Sequence, residues 1–231
     1  KMENCGESWG LLLVSGSKSA EAVAAAFGIE VRALQLLHTL PATIGGQQGL
    51  ILRTEETGEQ DFEVLLPADA VPAAWNQLMT SGAPFGIKPV GAQARELLRI
   101  EAGLPKAGPD LNEEIVPPEA NLEGKAFSLS KGCYPGQEVV ARMDTYGNVR
   151  RHLVGLIIQD KTVPPAGSKL FSGEREVGWV SSAVFSPQRN AALAFGFPLR
   201  DFSAPDTTLT VEVAGTRHQA TVHALPFQKH S

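Results

Sequence analysis

One cysteine of this sequence, Cys133, stands in a setting that favours a reactive thiol. It follows Lys131 and Gly132, and it precedes Pro135, which suits the first position of a helix, and Glu138, which suits the first turn. A helix N-terminus and a neighbouring cation both stabilise a thiolate, and flanking glycines leave room for a substrate. A single cysteine can equally be a small buried hydrophobic residue. The sequence therefore leaves both a reactive thiol and a packing role open for Cys133.

A carboxylate, Glu101, ends the apolar stripe of a helix predicted over residues 90–102. Leu97 and Leu98 precede it at helical spacing, so Glu101 should face the interior. Burial and the negative end of the helix dipole both disfavour an ionised carboxylate there. We therefore expect a hydrogen-bond donor to Glu101, which could be a ligand, an arginine or a backbone group. Arg99 lies on a different face and is predicted to form a structural ion pair.

Hydrophobic periodicity predicts the elements that position these residues. Strands are expected at 9–14, 49–53, 62–66 and 85–88, and helices at 17–27, with a serine cap at its start and Gly28 past its end, and at 69–79. This β-α-β-β-α-β order is that of a ferredoxin-like domain. Residues 33–40 fit a helix or a strand equally well.

The C-terminal third of the chain changes to short apolar runs of period two, separated by Gly and Pro turns. Six such runs begin at residues 153, 169, 177, 191, 209 and 219. They predict a small antiparallel barrel or sandwich and an α+β protein with two domains, 1–148 and 149–231. A basic cluster at the junction (Arg142, Arg150, Arg151 and His152) is predicted to be a solvated face.

Composition excludes several classes of protein. With 231 residues and a net charge of −5, the chain lacks the basic excess of a general nucleic-acid binder. Two cysteines, Cys5 and Cys133, are too few for a disulfide framework, and the histidines show no metal-ligand spacing. The longest apolar runs fall short of a membrane span. We therefore expect a cytoplasmic protein with no metal site and no direct contact with nucleic acid or membrane.

The string Lys131-Gly132-Cys133-Tyr134-Pro135-Gly136-Gln137-Glu138 resembles the K-G-C-Y-x-G-Q-E signature of the YgfZ family. That family consists of folate-binding relatives of the glycine-cleavage T-protein, an aminomethyltransferase. Further segments resemble the same superfamily in order: Thr57-Gly58-Glu59, Gly86-Ile87-Lys88-Pro89, Arg99-Ile100-Glu101-Ala102-Gly103, Pro118-Glu119-Ala120 and the closing barrel.

The resemblance implies a tetrahydrofolate site in which Glu101 holds the pterin ring. It also implies roles for Lys131 and Tyr134 in folate binding, for Cys133 as a reactive thiol, and for Gly132, Gly136, Gln137 and Glu138 as structural support of the motif. From the residues alone, Lys131 could instead raise the potential at Cys133 or be solvated, and Tyr134 could be a half-buried packing residue. Gln137 and Glu138 could cap the following helix.

The function that the resemblance implies is support of iron–sulfur cluster assembly or repair, with effects on tRNA modification. Its partners would be folate and iron–sulfur proteins or their assembly machinery. The alternative is an aminomethyltransferase that moves a one-carbon unit to tetrahydrofolate. We favour the first because such a transferase has no chemical need for a thiol. A third reading is a folate-free interaction module.

The sequence also departs from the superfamily pattern. The Y-G-x-D-L motif reads Ala107-Gly108-Pro109-Asp110-Leu111, so its tyrosine is absent, and Asn121 replaces the glycine of E-A-G-L. Glu55 and Glu56 replace a glycine and an aromatic residue. The segment that supplies the catalytic aspartate of aminomethyltransferases has no counterpart before Trp9, so we expect the folate site of this chain to be incomplete.

Overall fold

The computed structural model describes residues 4, 6–146 and 149–228. Cys5 and residues 147–148, at the predicted domain junction, lie outside the described residues. The chain forms two compact units, of which the first ends at Arg95 and the second begins at Glu96. The predicted boundary after residue 148 lies within the second unit.

The first unit is a four-stranded antiparallel sheet with two helices packed on one face. Its elements are β1 (Trp9–Ser15), α1 (Ser19–Phe27), β2 (Thr39–Ile44), β3 (Gln47–Thr54), β4 (Asp61–Pro67) and α2 (Val71–Ser81), and the strand order is β1-β4-β3-β2. Phe62, Val64 and Leu66 alternate into the core beneath the helices, as period two requires. Glu63 and Leu65 lie on the other face.

The predicted element order of this unit is corrected at two places. The segment 33–40, for which the sequence left helix and strand open, contains turns at 32–33 and 36–37 and then a strand that begins at Thr39. The strand predicted at 85–88 is absent, because a short 3-10 turn ends at Phe85 and Gly86 follows with a φ of 80°. Pro89, which has no N–H to donate, comes soon after. The described order is therefore β-α-β-β-β-α.

Helix α1 ends as predicted but does not begin as predicted. Gly28 adopts the left-handed conformation, with a φ of 71°, and its N–H bonds the carbonyl of Ala24. The helix begins at Ser19, and the residue before it, Lys18, makes no side-chain cap. The Ser19 hydroxyl instead donates to the Gln60 carbonyl at 2.5 Å. The predicted serine cap at Ser17 is therefore wrong.

The second unit contains two helices, the loop between them and a barrel. It includes most of α3 (Ala92–Glu101), α4 (Gln137–Tyr146), and the strands β5 (Val154–Ile158), β6 (Lys169–Ser172), β7 (Arg175–Ser186), β8 (Ala191–Gly196), β9 (Thr208–Val213) and β10 (Thr216–His223). The six strands close in the order β10-β5-β8-β7-β6-β9, and every pairing is antiparallel. This confirms the α+β class and the predicted C-terminal barrel.

A buried ion pair joins the end of α3 to the barrel. Arg99 Nη1 donates to Asp110 Oδ2 at 2.7 Å, and the Asp110 side chain is fully buried. The other oxygen, Oδ1, accepts hydrogen bonds from the hydroxyls of Ser181 and Ser182 on β7, at 2.6 and 2.7 Å. The backbone N–H of Lys106 also donates to Asp110 Oδ2, at 2.9 Å. The predicted structural role of Arg99 is confirmed.

We expect Asp110→Asn to destabilise the second unit by about 3 kcal/mol, because it removes the buried carboxylate partner of Arg99 and leaves only the less buried Glu96 to pair with that charge. Urea unfolding followed by circular dichroism measures this loss. Glu174→Gln is the matched control, since it breaks an exposed pair with Arg217 and should cost less than about 1 kcal/mol. Equal losses in the two variants would contradict a structural role for the buried pair.

Candidate functional site

The Glu101 carboxylate is buried and only partly satisfied by the protein. Its residue is 5% exposed, and the Ser186 hydroxyl donates to Oε1 at 2.7 Å. Within the part of the chain that the structure describes, no donor reaches Oε2. Among the described residues, the donor expected from the sequence is therefore a serine of the barrel, not an arginine or a backbone N–H.

The backbone at Glu101 is held by the C-terminal segment. Its carbonyl accepts the N–H groups of Phe227 and Gln228 at 3.0 and 3.2 Å, and Arg189 donates to the Phe227 carbonyl. Ser186 and Glu101 are 85 positions apart, so no local pattern could have paired them. Burial, the serine bond and the two backbone bonds together fix the carboxylate in one place.

The Lys131–Glu138 loop presents Cys133 to solvent. Because the side chain is exposed, a packing role for Cys133 is wrong. Helix α4 begins at Gln137, so Pro135 is not its first residue. Gly136 takes a φ of 85°, and a chain that turns through the left-handed region cannot be helical there. Glu138 does lie in the first turn, as predicted.

Three predicted site residues of this loop contact one another. The Lys131 ammonium lies 4.9 Å from the centre of the Tyr134 ring, a cation–π distance. The Tyr134 N–H donates to Gln137 Oε1 at 3.3 Å, so Gln137 reaches back over the helix start. The Tyr134 hydroxyl is buried without a hydrogen-bond partner. Among the described residues, no hydrogen bond or ion pair joins Glu101 to Lys131, Cys133 or Tyr134.

A cavity of about 350 Å³ lies in the second unit, next to this loop. Its apolar lining comes from Pro118, Phe127, Leu129, Val140 and Val149, and its polar lining from Asn121, Glu123 and His152. Sequence reasoning did not find this cavity, because its walls come from four separate segments of the chain.

Asn121 explains one departure from the superfamily pattern. Its φ of 56° is left-handed, a conformation that suits glycine and that asparagine tolerates better than most residues. Its side-chain amide donates to the Leu153 carbonyl at 2.8 Å, a bond that glycine could not make. The replacement therefore keeps the turn and ties it to the start of the barrel.

The basic cluster beside the cavity is divided between two faces. Arg151 donates to the Val177 and Phe197 carbonyls and stacks 4.7 Å from the Trp179 ring centre, so a solvated role is wrong for this residue. Arg150 is exposed, whereas the side chain of Arg142 lies outside the described part. His152 is half-buried, and burial and the charge of Arg200 hold its pKa below the ordinary 6.5, against an opposing effect of Glu119.

Neither a membrane-spanning helix nor a metal-binding cluster occurs in the described part of the chain. No helix within residues 4, 6–146 and 149–228 has the length and apolar composition for a bilayer crossing. In the same residues, no three His, Cys, Asp or Glu side chains converge as a metal site would require.

Family models match most of the chain. Residues 1–129 match the GCVT N-terminal domain, and residues 151–229 match the glycine cleavage T-protein C-terminal barrel domain. The Lys131–Glu138 loop and α4 fall between the two matched regions. The YgfZ family is therefore not distinguished from the wider superfamily by these matches.

Three proteins similar to this chain are named as aminomethyltransferases. An aminomethyltransferase of Saccharopolyspora erythraea is 33% identical over 230 residues, covering 98% of this chain and 62% of the relative. One from Geobacillus sp. is 35% identical over 187 residues, covering 80% and 51%. The crystal structure of glycine cleavage system aminomethyltransferase T from Bartonella henselae matches with a TM-score of 0.84 and 28% identity, covering 96% and 60%. The chain thus spans less than two thirds of the length of these relatives.

Cys133 should react with iodoacetamide in the folded protein, because its side chain is exposed. A Cys5→Ser background leaves Cys133 as the one thiol, and intact mass measures its alkylation. Labelling that begins only after denaturant is added would show that the thiol is protected, contrary to this expectation.

Proposed function

Because this chain belongs to the glycine-cleavage T-protein family, we propose that it binds tetrahydrofolate and that Glu101 holds the pterin ring. The observation that carries the proposal is a buried carboxylate with a donor to Oε1 and none to Oε2 among the described residues. A pterin edge offers paired N–H donors, which match a carboxylate in charge and geometry.

The free hydrogen-bonding capacity of the Glu101 carboxylate favours a ligand there. A charge-assisted hydrogen bond to such a carboxylate contributes about 1.5–3 kcal/mol. Ser186 fixes the carboxylate orientation and leaves Oε2 for the ligand. Asp110, the neighbouring buried carboxylate, accepts hydrogen bonds at both oxygens and has no such vacancy.

We assign one-carbon transfer to tetrahydrofolate as the reaction that this site serves. The relatives named aminomethyltransferase support this assignment, and they outweigh the preference for an accessory factor drawn from the sequence. Within this chain, Glu101 would bind and orient the pterin, and burial around it would exclude water from that contact. Transfer of a labelled one-carbon unit to tetrahydrofolate by the full gene product tests the reaction, and its absence would contradict the assignment.

Lys131 and Tyr134 are proposed as further folate contacts. The Lys131 ammonium could meet a folate carboxylate, and the half-buried Tyr134 ring could stack on the ligand. Because the ammonium already lies over that ring, a ligand that binds either residue would have to displace or share this contact.

Glu101→Gln should weaken tetrahydrofolate binding by about 1.5–3 kcal/mol, since the amide accepts fewer hydrogen bonds and carries no charge. Calorimetric titration of the full gene product measures the change. The amide oxygen can still accept from Ser186, so the fold should survive. Glu119→Gln, a second buried carboxylate in the same unit, is the matched control and should leave binding unchanged. Equal affinity of wild type and Glu101→Gln would refute the pterin role.

A second candidate function is the YgfZ-like support of iron–sulfur cluster assembly or repair, with effects on tRNA modification. The exposed Cys133 favours it, because a thiol in solvent can react with a partner protein. The segment that carries this thiol is also the part of the chain that lies between the two family matches. Folate would be bound in this function as well, so the two candidates differ in the need for the thiol.

Cys133→Ser separates the two candidates in cells. If the accessory function holds, the activities of cluster-dependent enzymes should fall while the level of this protein stays constant, because only the sulfur is removed. Immunoblotting gives the protein level, and Cys5→Ser is the control. Unchanged enzyme activities in the Cys133→Ser strain would leave one-carbon transfer as the function.

A further inference from the structure

We propose that the cavity beside the Lys131–Glu138 loop binds a small organic ammonium ion, whose charge lies between Glu123 and the Phe127 ring. The cavity volume of about 350 Å³ falls within the range of small-molecule sites, which begins at about 300 Å³. The inference goes beyond the proposed function, because it assigns a second ligand to residues that have no role in holding the pterin.

The lining of the cavity is acidic. Glu123 is the one acid among the described lining residues, and these include no lysine or arginine. His152, the other titratable lining residue, has a pKa below the ordinary 6.5, because burial and the charge of Arg200 outweigh the opposing effect of Glu119. Arg200 and Glu119 themselves are not among the described lining residues. His152 is therefore mostly neutral at pH 7, and the Glu123 carboxylate favours a cation over an anion in the cavity.

Glu123 and Phe127 are held side by side and are open to a ligand. The two residues form an isolated parallel β-bridge, and the Gly124 N–H donates to the Phe127 carbonyl at 2.9 Å. The Glu123 side chain is exposed, and its carboxylate has no hydrogen bond or ion pair within the described part of the chain. Lys125, the cation of the same turn, does not line the cavity. The carboxylate is therefore free to pair with a cation from outside the protein.

A carboxylate beside an aromatic ring suits an ammonium ion in two ways. The carboxylate accepts the N–H groups of the ion in charge-assisted hydrogen bonds, and the face of the ring attracts its charge. Asn121 adds a second acceptor to the lining, because its side-chain amide donates to the Leu153 carbonyl and its Oδ1 receives no donor from the described residues. An ammonium group, which has N–H donors and no acceptor, can use all of these groups.

The rest of the lining accommodates the apolar part of such an ion. Pro118, Leu129, Val140 and Val149 contribute carbon surface, and Val140 is buried. Removing an apolar group of the ligand from water against these walls adds affinity that a metal ion or a polar polyamine cannot gain. We therefore expect an amine that carries one apolar group, aromatic or branched.

Calorimetry with three probes of similar shape tests the ligand class in the wild-type protein. Phenethylamine carries the ammonium group, phenethyl alcohol replaces it with a neutral hydroxyl, and phenylacetate replaces it with a carboxylate. We expect the amine to bind saturably, the alcohol to bind about tenfold more weakly, as loss of a charge-assisted hydrogen bond predicts, and phenylacetate not to bind. No saturable binding of the amine, or an affinity for the alcohol or the acid that equals or exceeds that for the amine, would overturn the proposal.

Glu123→Gln should weaken the amine about tenfold and leave the alcohol unchanged, because it removes the charge and keeps the shape of the side chain. Phe127→Leu, which keeps an apolar wall without the ring, should weaken the amine more than the alcohol. Glu113→Gln is the matched control, because Glu113 is an exposed glutamate of the same unit that does not line the cavity. Thermal unfolding shows which variants are folded. Equal amine affinity in wild type and folded Glu123→Gln would overturn the proposal.

The amine site and the proposed function can fail independently. Glu101→Gln should leave the affinity for the amine unchanged, and saturating tetrahydrofolate should not displace the amine. Displacement, or weaker amine binding in folded Glu101→Gln, would assign the amine to the folate site and overturn a separate site. Tetrahydrofolate binding that depends on Glu101, without amine binding, would refute the amine site and leave the proposed function intact. Amine binding without tetrahydrofolate binding would do the reverse.

Discussion

The buried ion pair between Arg99 and Asp110 is the interaction on which the second unit depends. Two charges removed from water are tolerable only if each is fully hydrogen-bonded, and here the surroundings supply those bonds. Arg99 also donates to the Leu104 carbonyl at 2.7 Å and to Ser182 at 3.2 Å. The end of α3, the loop at 104–111 and strand β7 are thus tied together by one polar cluster.

This cluster determines where Glu101 can lie. Arg99 and Glu101 are two positions apart on one helix, so their side chains leave it in different directions. With Arg99 fixed against Asp110, Glu101 is directed to Ser186 at the end of the same strand, β7. Two buried carboxylates therefore lie near one helix end. Asp110 accepts hydrogen bonds at both oxygens, whereas Glu101 accepts one from the described residues, at Oε1. Asp110 is suited to structure, and Glu101 is suited to a ligand.

The segment between the two family matches adds a separate chemistry to this framework. It presents an exposed thiol and a cation over an aromatic ring, and the cavity lies beside it. The burial of Glu101 and its hydrogen bond from Ser186 depend on none of these features. The choice between one-carbon transfer and an accessory role therefore depends on what Cys133 does, and the carboxylate site is common to both.

Local pattern was enough to predict much of the fold. Alternation in β4, the cap at Gly28 and the six barrel runs depend on neighbours a few residues away, so the sequence predicts them. The strand expected at 85–88 failed because a left-handed Gly86 and nearby prolines override the apolar pattern. The start of α4 was misplaced by two residues because Gly136, and not Pro135, sets the turn.

By itself, the sequence determined that Glu101 faces inward, that Arg99 faces elsewhere and that Cys133 stands in a glycine-flanked loop, because helical spacing and loop chemistry are local. Only the tertiary structure decided that a serine 85 positions away donates to Glu101, that two serines of the same strand satisfy Asp110, and that Cys133 is exposed. It also created the cavity, whose lining joins segments that are distant in sequence. Burial and hydrogen-bond partners depend on which strands meet in the closed barrel, and no spacing along the chain encodes that.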